Sequence, residues 1–449
     1  MPQSLTLEIL SLAAGGDGVG RLPDGRTVFV PRSAPGDRVE AGITEEHKHY
    51  ARARVLRVLR AGAGRVEPPC PVAGECGGCA WQHLDYPAQA EAKHGFLREA
   101  LRRIGGLDDP PLASMLAAGQ PFQYRNKAQV PVASAPDGSL RMGYYREGSH
   151  DVVALPAEGC RLLAPAVDAA LRFVREHLAD LGLRPYEQSS GEGSLRHVMV
   201  RADSRGRAMV VLVTRAPLGQ SAAEAAALWV GQAGIASVQN NLQSKTGNVV
   251  LGVETRLIAG PPALDEDLGG LGFRLQATSF FQVNRTQTLA LLDALLAVRP
   301  WKAGEQVLEL YCGVGTLSLP LGRLGARVHG VENNAAAVDD ARANAAANGL
   351  AQLSFSAADA LGAWERLPEG FKPSVALMDP PRKGLEPGLA ARLVELGPPE
   401  LVYVSCDPAS LARDVKLLAA GGYALKSCRG VDLFPQTPHV ESVSLLVRA

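Results

Sequence analysis

The sequence predicts a multidomain chain: an N-terminal OB-like β-barrel, a central strand-rich α+β domain, and a C-terminal α/β domain of Rossmann-like design. Three observations predict it. Residues 1–60 run as short apolar stretches punctuated by GGDGVG, PDG and APGD, the turn chemistry of a small barrel. Segments such as FQYRNKAQVPVA and HVMVRADSRGRAMVVLVT, within residues 121 to about 260, alternate in side-chain character as antiparallel strands do. From 273 onward, strand-like runs such as QVLELYC, ARVHGVE and LVYVSCD alternate with helical ones, which marks a parallel sheet with helices on both faces.

Length agrees with this division, since 449 residues at roughly 150 per domain give about three. The expected units are 1–60, 61–272 and 273–449. Apolar residues are 46% and charged residues 20%, an ordinary globular profile. No run approaches a membrane span. The start, MPQSLTLEIL, has neither a basic leader nor an apolar signal core, so a cytoplasmic location is expected. With 46 basic and 46 acidic side chains, overall charge does not advertise a nucleic-acid binder, and any basic surface must be local. ARARVLRVLRAGAGR at 51–65 and RHVMVRADSRGR at 196–207 are the two candidates.

In the barrel, Val28, Val30 and Val39 fall at strand positions. Residues 59–81 form a cysteine-rich loop. A helix is expected over 82–105, where Leu97, Leu101 and Ile104 repeat at helical spacing before Gly105-Gly106; the helical stretch within 82–112 is expected against the catalytic domain. In PFQYRNKAQ at 121–129, Tyr124 or Phe122 could stack on a base while Arg125 and Lys127 meet phosphates.

VLELYCGVGTLSLPLG at 307–322 reads as a strand, a glycine turn and a helix start. Gly313 and Gly315 let the backbone turn and approach a ligand. Glu332 ends the next strand, where a carboxylate can accept ribose hydroxyls. A NAD site competes for this pattern, but the third glycine of GxGxxG is missing and Glu309 sits in the preceding strand. A cationic sulfonium donor tolerates that acid better than a pyrophosphate does, so S-adenosylmethionine is the expected cofactor. Asp359 would lie near the adenine. Asp379 ends the fourth strand in ALMDPPRKG; Arg382 stands where amino-methyltransferases place an aromatic residue, which disfavours methylation of an exocyclic amine.

Cys406 closes the fifth strand in LVYVSCDPASLARDV. In open α/β sheets ligands lie beyond the carboxyl ends of the strands, so Cys406 and Asp379 face one crevice. The positive end of the following helix is expected to favour the thiolate. A thiolate beside a methyl donor suits uracil. Addition to carbon 6 makes carbon 5 nucleophilic, and a base must afterwards take the carbon 5 proton. Glu441, ahead of the last strand in TPHVESVSLL, is the candidate base.

With these residues in place, the chain resembles the RNA uracil-5-methyltransferase family. The matching motifs are FFQVN (280–284), LYCGVGTLSLPL (310–321), GVE (330–332), DPPRKG (379–384), SCDPASLARD (405–414) and PHVESV (438–443), in family order. The resemblance implies a class I S-adenosylmethionine methyltransferase fold, Cys406 as nucleophile and Glu441 as base. It implies cofactor contacts from Gln282, Tyr311, Thr316, Glu332, Asp359 and Asp379. The N-terminal barrel is similar to the TRAM domain.

Cys70, Cys76 and Cys79 form a C-x5-C-x2-C run, and Cys160 is the remaining cysteine outside the C-terminal domain. Zinc and a 4Fe–4S cluster both fit four cysteines. The resemblance to a branch carrying this spacing favours the 4Fe–4S cluster, with a structural role. The same branch implies 23S ribosomal RNA as substrate, presented as a single-stranded or flipped uridine, and a monomeric enzyme. Two other readings stay open: the same chemistry on transfer RNA, and a non-catalytic iron–sulfur RNA-binding protein.

Overall fold

A computed structural model describes residues 4–135, 137–188 and 190–448. Between Ser4 and Arg60, six strands form one curled sheet. Its longest pair, Arg38–Glu46 with Tyr50–Arg60, runs antiparallel. Leu7, Ile9, Val28, Val30, Val39, Ala41, Ala51 and Ala53 fill its interior, which is the alternation expected of strands with one buried face. The arginines of the outer face are largely engaged. Arg52 pairs with Asp17 and Glu45, Arg57 with Glu40, Arg60 with Glu8, and Arg65 with the buried Asp37. The basic run at 51–65 is therefore mostly neutralised within the barrel.

The cysteine loop leads into helix α1, Tyr86–Arg103. Asp85 caps it by accepting from the Ala88 amide at 2.8 Å, Pro87 sits in its first turn, and Ile104 and Gly105 close it. Leu97 and Leu101 bury against the C-terminal domain, in one cluster with Leu411, Val415 and Cys428. The chain then gives a short strand, β1, Leu112–Leu116.

The central domain is a seven-stranded sheet spanning 127–259. It includes β2, Lys127–Ser134, and β3, Leu195–Ala202. Its neighbours pair antiparallel except Ala208–Thr214 with Ile235–Leu242, which run parallel. The second basic candidate is mostly engaged within the protein, Arg205 alone of its arginines staying exposed without a side-chain partner among the described residues. Arg196 donates to the carbonyls of Gln243 and Lys245, Arg201 donates to those of Gln276 and Ser279, and Arg207 pairs with Asp203 and Asp265.

The C-terminal domain follows helix α2, Arg285–Ala297. Its strands are β4 Gln306–Leu310, β5 Arg327–Glu332, β6 Ser354–Ala357, β7 Val375–Met378 and β8 Glu400–Ser405. Helix α3, Pro408–Ala420, then precedes β9 Tyr423–Val431 and β10 Glu441–Arg448. The sheet order is β6-β5-β4-β7-β8-β10-β9-β1. Strands β4 to β8 pair in parallel, and β10 enters antiparallel between β8 and β9. The eighth strand, β1, comes from far upstream and pairs parallel to β9. The described residues contain no helix long and apolar enough to cross a membrane.

Candidate active site and cysteine cavity

The crevice lies at the carboxyl ends of β4, β7 and β8. At β4 the turn Tyr311–Gly315 is built from left-handed residues: φ is 64° at Tyr311, 53° at Gly313 and 86° at Gly315. Tyr311 pays for that conformation as a non-glycine residue, a strain typical of ligand-holding turns. At Gly313 an added Cβ would meet nothing within 4 Å, so its backbone faces open space. Glu332, at the end of β5, accepts from the Gly313 amide at 3.2 Å and the Asn334 amide at 2.9 Å. The acid of the second strand thus lies against the glycine turn. Glu309 is buried, takes a hydrogen bond from Ser318, and is pushed up to about 8 by burial. It ties β4 to the helix that follows the turn.

The other cofactor candidates divide. Gln282 sits in a loop held from two sides: Asn126 Nδ2 donates to the Gln282 carbonyl at 3.1 Å, and Asn284 Nδ2 donates to the Leu433 carbonyl at 3.0 Å. Thr316 is partly exposed beside the turn. Asp359 is exposed beyond β6, its carboxylate accepting from the Gly362 amide at 2.7 Å. The Tyr311 hydroxyl is buried without a hydrogen-bond partner. Phe280, two residues before Gln282, is 69% exposed. Sequence reasoning did not single it out, although FFQVN contained it; the doublet does not say which ring is exposed, and only the fold buries Phe281 and leaves Phe280 in water.

Cys406 and Glu441 meet through strand register. Ser405 pairs with Ser442 across β8 and β10, so the next step places Cys406 beside Glu441. Glu441 is 4% exposed and is pushed up to about 8 by burial, then by Asp379, while Arg382 opposes the rise. Asp379 is pushed up to about 7 by burial. Burial, followed by the charges of Glu441 and Asp379, pushes the Cys406 thiol up to about 12. This direction opposes the thiolate expected from the helix end. Asp407 caps α3 by accepting from the Ser410 amide at 2.7 Å, and its charge also raises the thiol. Arg382 is exposed over this cluster and donates to His439 Nε2 at 3.1 Å.

The segment 432–440, which leads into Glu441, is clamped by upstream elements. Lys93 of α1 donates to Asp432 at 2.6 Å and to the Phe434 carbonyl at 3.0 Å. Gln89 exchanges hydrogen bonds with Gln436. Trp81 donates its amide to the Gln436 carbonyl and its indole to Gly16 of the barrel. The Tyr124 hydroxyl donates to Pro435 at 3.0 Å. Tyr124 is thus a buried strut, and the stacking role read for it from sequence is corrected. Lys127 is likewise no ready phosphate contact, because burial and Arg201 push it down to about 7.

Cys70, Cys76, Cys79 and Cys160 line one cavity of about 430 Å³. Burial pushes Cys79 up to about 12 and Cys160 up to about 11, and the thiols repel one another's charge. Among the described residues, no group of three or more His, Cys, Asp or Glu side chains could hold a metal ion directly. Thr437, Pro438 and His439 close the cavity on the catalytic side. One wall therefore serves both the cysteines and the crevice.

Comparison with known proteins agrees with this geometry. Residues 266–449 match the family described as tRNA (Uracil-5-)-methyltransferase, and residues 3–56 match the TRAM domain. An uncharacterized RNA methyltransferase of Gloeobacter violaceus is 39% identical, covering 100% of this chain and 97% of its own. One of Listeria monocytogenes is 38% identical over 99% and 97%. Among solved structures, the Pyrococcus abyssi tRNA (uracil-54, C5)-methyltransferase in complex with S-adenosyl-L-homocysteine superposes with a TM-score of 0.77. It is 27% identical and covers 98% of this chain and 99% of its own.

Proposed function

The chain belongs to the S-adenosylmethionine-dependent RNA uracil-5-methyltransferase family, and from that premise we propose that it methylates carbon 5 of one uridine in 23S ribosomal RNA through a covalent bond from Cys406 to carbon 6. The observation that carries this reading is the register that sets Cys406 beside Glu441 at the crevice where Asp379 ends its strand.

S-adenosylmethionine, when bound, supplies an electrophilic methyl group. Glu332 and the amides of the glycine turn would hold its ribose and tail, with Gln282, Tyr311, Thr316, Asp359 and Asp379 around it. Cys406 Sγ forms a bond to carbon 6 of the uracil, and the electron pair of the ring double bond becomes available at carbon 5. The thiol proton passes to Asp379, which titrates near neutrality, and leaves Glu441 ionised for the later step. After carbon 5 takes the methyl group, Glu441 accepts the carbon 5 proton. The sulfur–carbon bond then breaks and the double bond reforms. Phe280, exposed beside Gln282, offers a face on which the extruded uracil or its neighbour stacks. Arg382, exposed above the thiol, meets the anionic substrate.

The reading includes a 4Fe–4S cluster on Cys70, Cys76, Cys79 and Cys160. Its support is that all four thiols share one cavity although no group among the described residues suits a single ion. A zinc tetrahedron would bring its thiolates within roughly 4 Å of one another; a multinuclear cluster spans a wider set. The cluster's role is to order the loop and the wall it shares with the crevice. The choice of 23S RNA rests on the resemblance to the branch combining this cysteine spacing with a TRAM domain. The Pyrococcus protein's own name specifies transfer RNA, and the test separates the two. Purified protein, labelled S-adenosylmethionine, unmodified 23S RNA and a transfer-RNA pool are incubated, and nucleosides are assayed for 5-methyluridine. Label in 23S RNA, lost in Cys406→Ala, is the expected result. Label in transfer RNA alone would move the substrate, and label in neither would refute the enzyme reading.

A further inference from the structure

The cysteine cavity has an unusual charge balance. Its lining includes Arg125 and Arg161 but no carboxylate. Acids flanking the loop are engaged elsewhere: Glu75 pairs with Arg146 at 2.7 Å and Glu147 with Arg32 at 3.4 Å. Arg161 is exposed and reaches water. Arg125 is half-buried. Its Nε is sealed from solvent and has no hydrogen-bond partner. Burial opposes its charge, but Tyr124, Tyr144 and Cys79 together hold its pKa above the ordinary value, and no carboxylate is among them. His439, on the shared wall, feels the same guanidinium.

No carboxylate lines the cavity to answer this guanidinium. Backbone bonds nevertheless fix Arg125 at this spot. Its amide donates to Leu162 at 2.9 Å and its carbonyl accepts from Ala164 at 2.9 Å, both in the Cys160 loop. The next residue, Asn126, donates its amide to Val283 at 2.8 Å, beside Gln282. The chain thus holds a cation in the wall of the cavity that the four cysteines line, and metal binding would take the protons of its ligands.

Resting on the cluster reading above, we propose that Arg125 is the resident counter-cation of the four-thiolate site, a positioning residue that retains the anionic cluster against the wall shared with the catalytic crevice. Substitution at Arg125 should then weaken the loaded form and spare the metal-free one.

The full chain, purified without oxygen and reconstituted with ferrous iron and sulfide, provides the test. Wild type, Arg125→Gln, Arg125→Lys and Arg161→Gln are compared by iron loss to a chelator and by melting temperature with and without iron. Arg125→Gln should lose iron about tenfold faster or more. Arg125→Lys should restore retention, and Arg161→Gln should match wild type. Metal-free Arg125→Gln should melt with metal-free wild type, whereas its loaded form should melt below loaded wild type. Equal iron retention in Arg125→Gln overturns the proposal. So does an Arg125→Lys variant as leaky as Arg125→Gln, or a metal-free Arg125→Gln that unfolds. Wild type that takes up no iron instead overturns the cluster reading itself, before any variant is compared.

Discussion

Cys406 and Glu441 stand at neighbouring strand ends, one register step beyond the Ser405–Ser442 pair of β8 and β10. The proposed nucleophile and base are therefore held at strand ends and not on flexible loops, and their proposed roles separate cleanly by substitution. Cys406→Ala should cost at least about three orders of magnitude in methylation and abolish adducts with 5-fluorouridine RNA. Glu441→Gln should still add and methylate, then stall, so denaturing gels should show a covalent complex with ordinary RNA. A Glu441→Gln enzyme that turns over freely would remove Glu441 from the role of base.

Protonation gives the site a pH signature. Glu441 ionises only near 8 and Asp379 near 7, against ordinary values of 4.5 and 3.8. Release of methylated RNA should accelerate as pH rises through that range. Stability should move the other way. Between the unfolded and folded values the native state binds more protons than the unfolded chain, so these groups erode stability as pH rises from about 4 to 8. Glu441→Gln should consequently melt above wild type at about pH 9 and lose that advantage near pH 4. Calorimetry at the two pH values decides it.

The Lys93–Asp432 pair is fully buried, with 2.6 Å between Nζ and Oδ1. Lys93→Met would leave the carboxylate facing an apolar stem and should cost about 3–5 kcal/mol, read as a lower denaturant midpoint. Adding Asp432→Asn should recover part of the loss, because the orphaned charge disappears. No recovery would mean that Lys93 acts through packing alone.

Gly315 has φ at 86°, and a Cβ there would stand 2.7 Å from Leu319 Cδ1. Gly315→Ala should weaken S-adenosylmethionine binding by about tenfold or more while the far-ultraviolet spectrum stays native. Titration calorimetry with S-adenosylhomocysteine measures the effect, and unchanged affinity would move the cofactor away from this turn.

Phe280→Ala should lower kcat/KM on RNA by about 1–3 kcal/mol, the worth of one stacked base, and leave cofactor affinity unchanged. A loss confined to the cofactor would instead make Phe280 a packing residue of the loop.

Much of the C-terminal domain was legible because its chemistry sits at strand ends, where a short apolar run stops at a polar residue. Cys406, Asp379 and Glu332 were found this way. The charge state of Cys406 was not legible, because it depends on Glu441 and Asp379, distant in sequence and adjacent only through sheet order. The arginines of 51–65 and 196–207 looked like free cations for a similar reason: Glu8, Glu40, Asp265 and several loop carbonyls reach them only in three dimensions. Tyr124 and Arg125 lie beside each other in a motif that reads as a surface grip, yet one props Pro435 and the other faces the cysteine cavity. Strand β1 was hidden by its brevity, since LASML carries little pattern without the β9 edge it completes.

That eighth strand bears on inheritance. A recombination event cutting the gene before residue 273 would carry off the motifs but strand β1 and α1 on the other side, leaving β9 as a bare edge open to pairing with other chains. The cofactor-binding half is thus not a cassette. A descendant acquiring a new RNA-reading front end would have to graft it around residues 86–116, and a replacement for the barrel, which contributes no strand to this sheet, would still have to supply the carbonyl that Gly16 offers to Trp81.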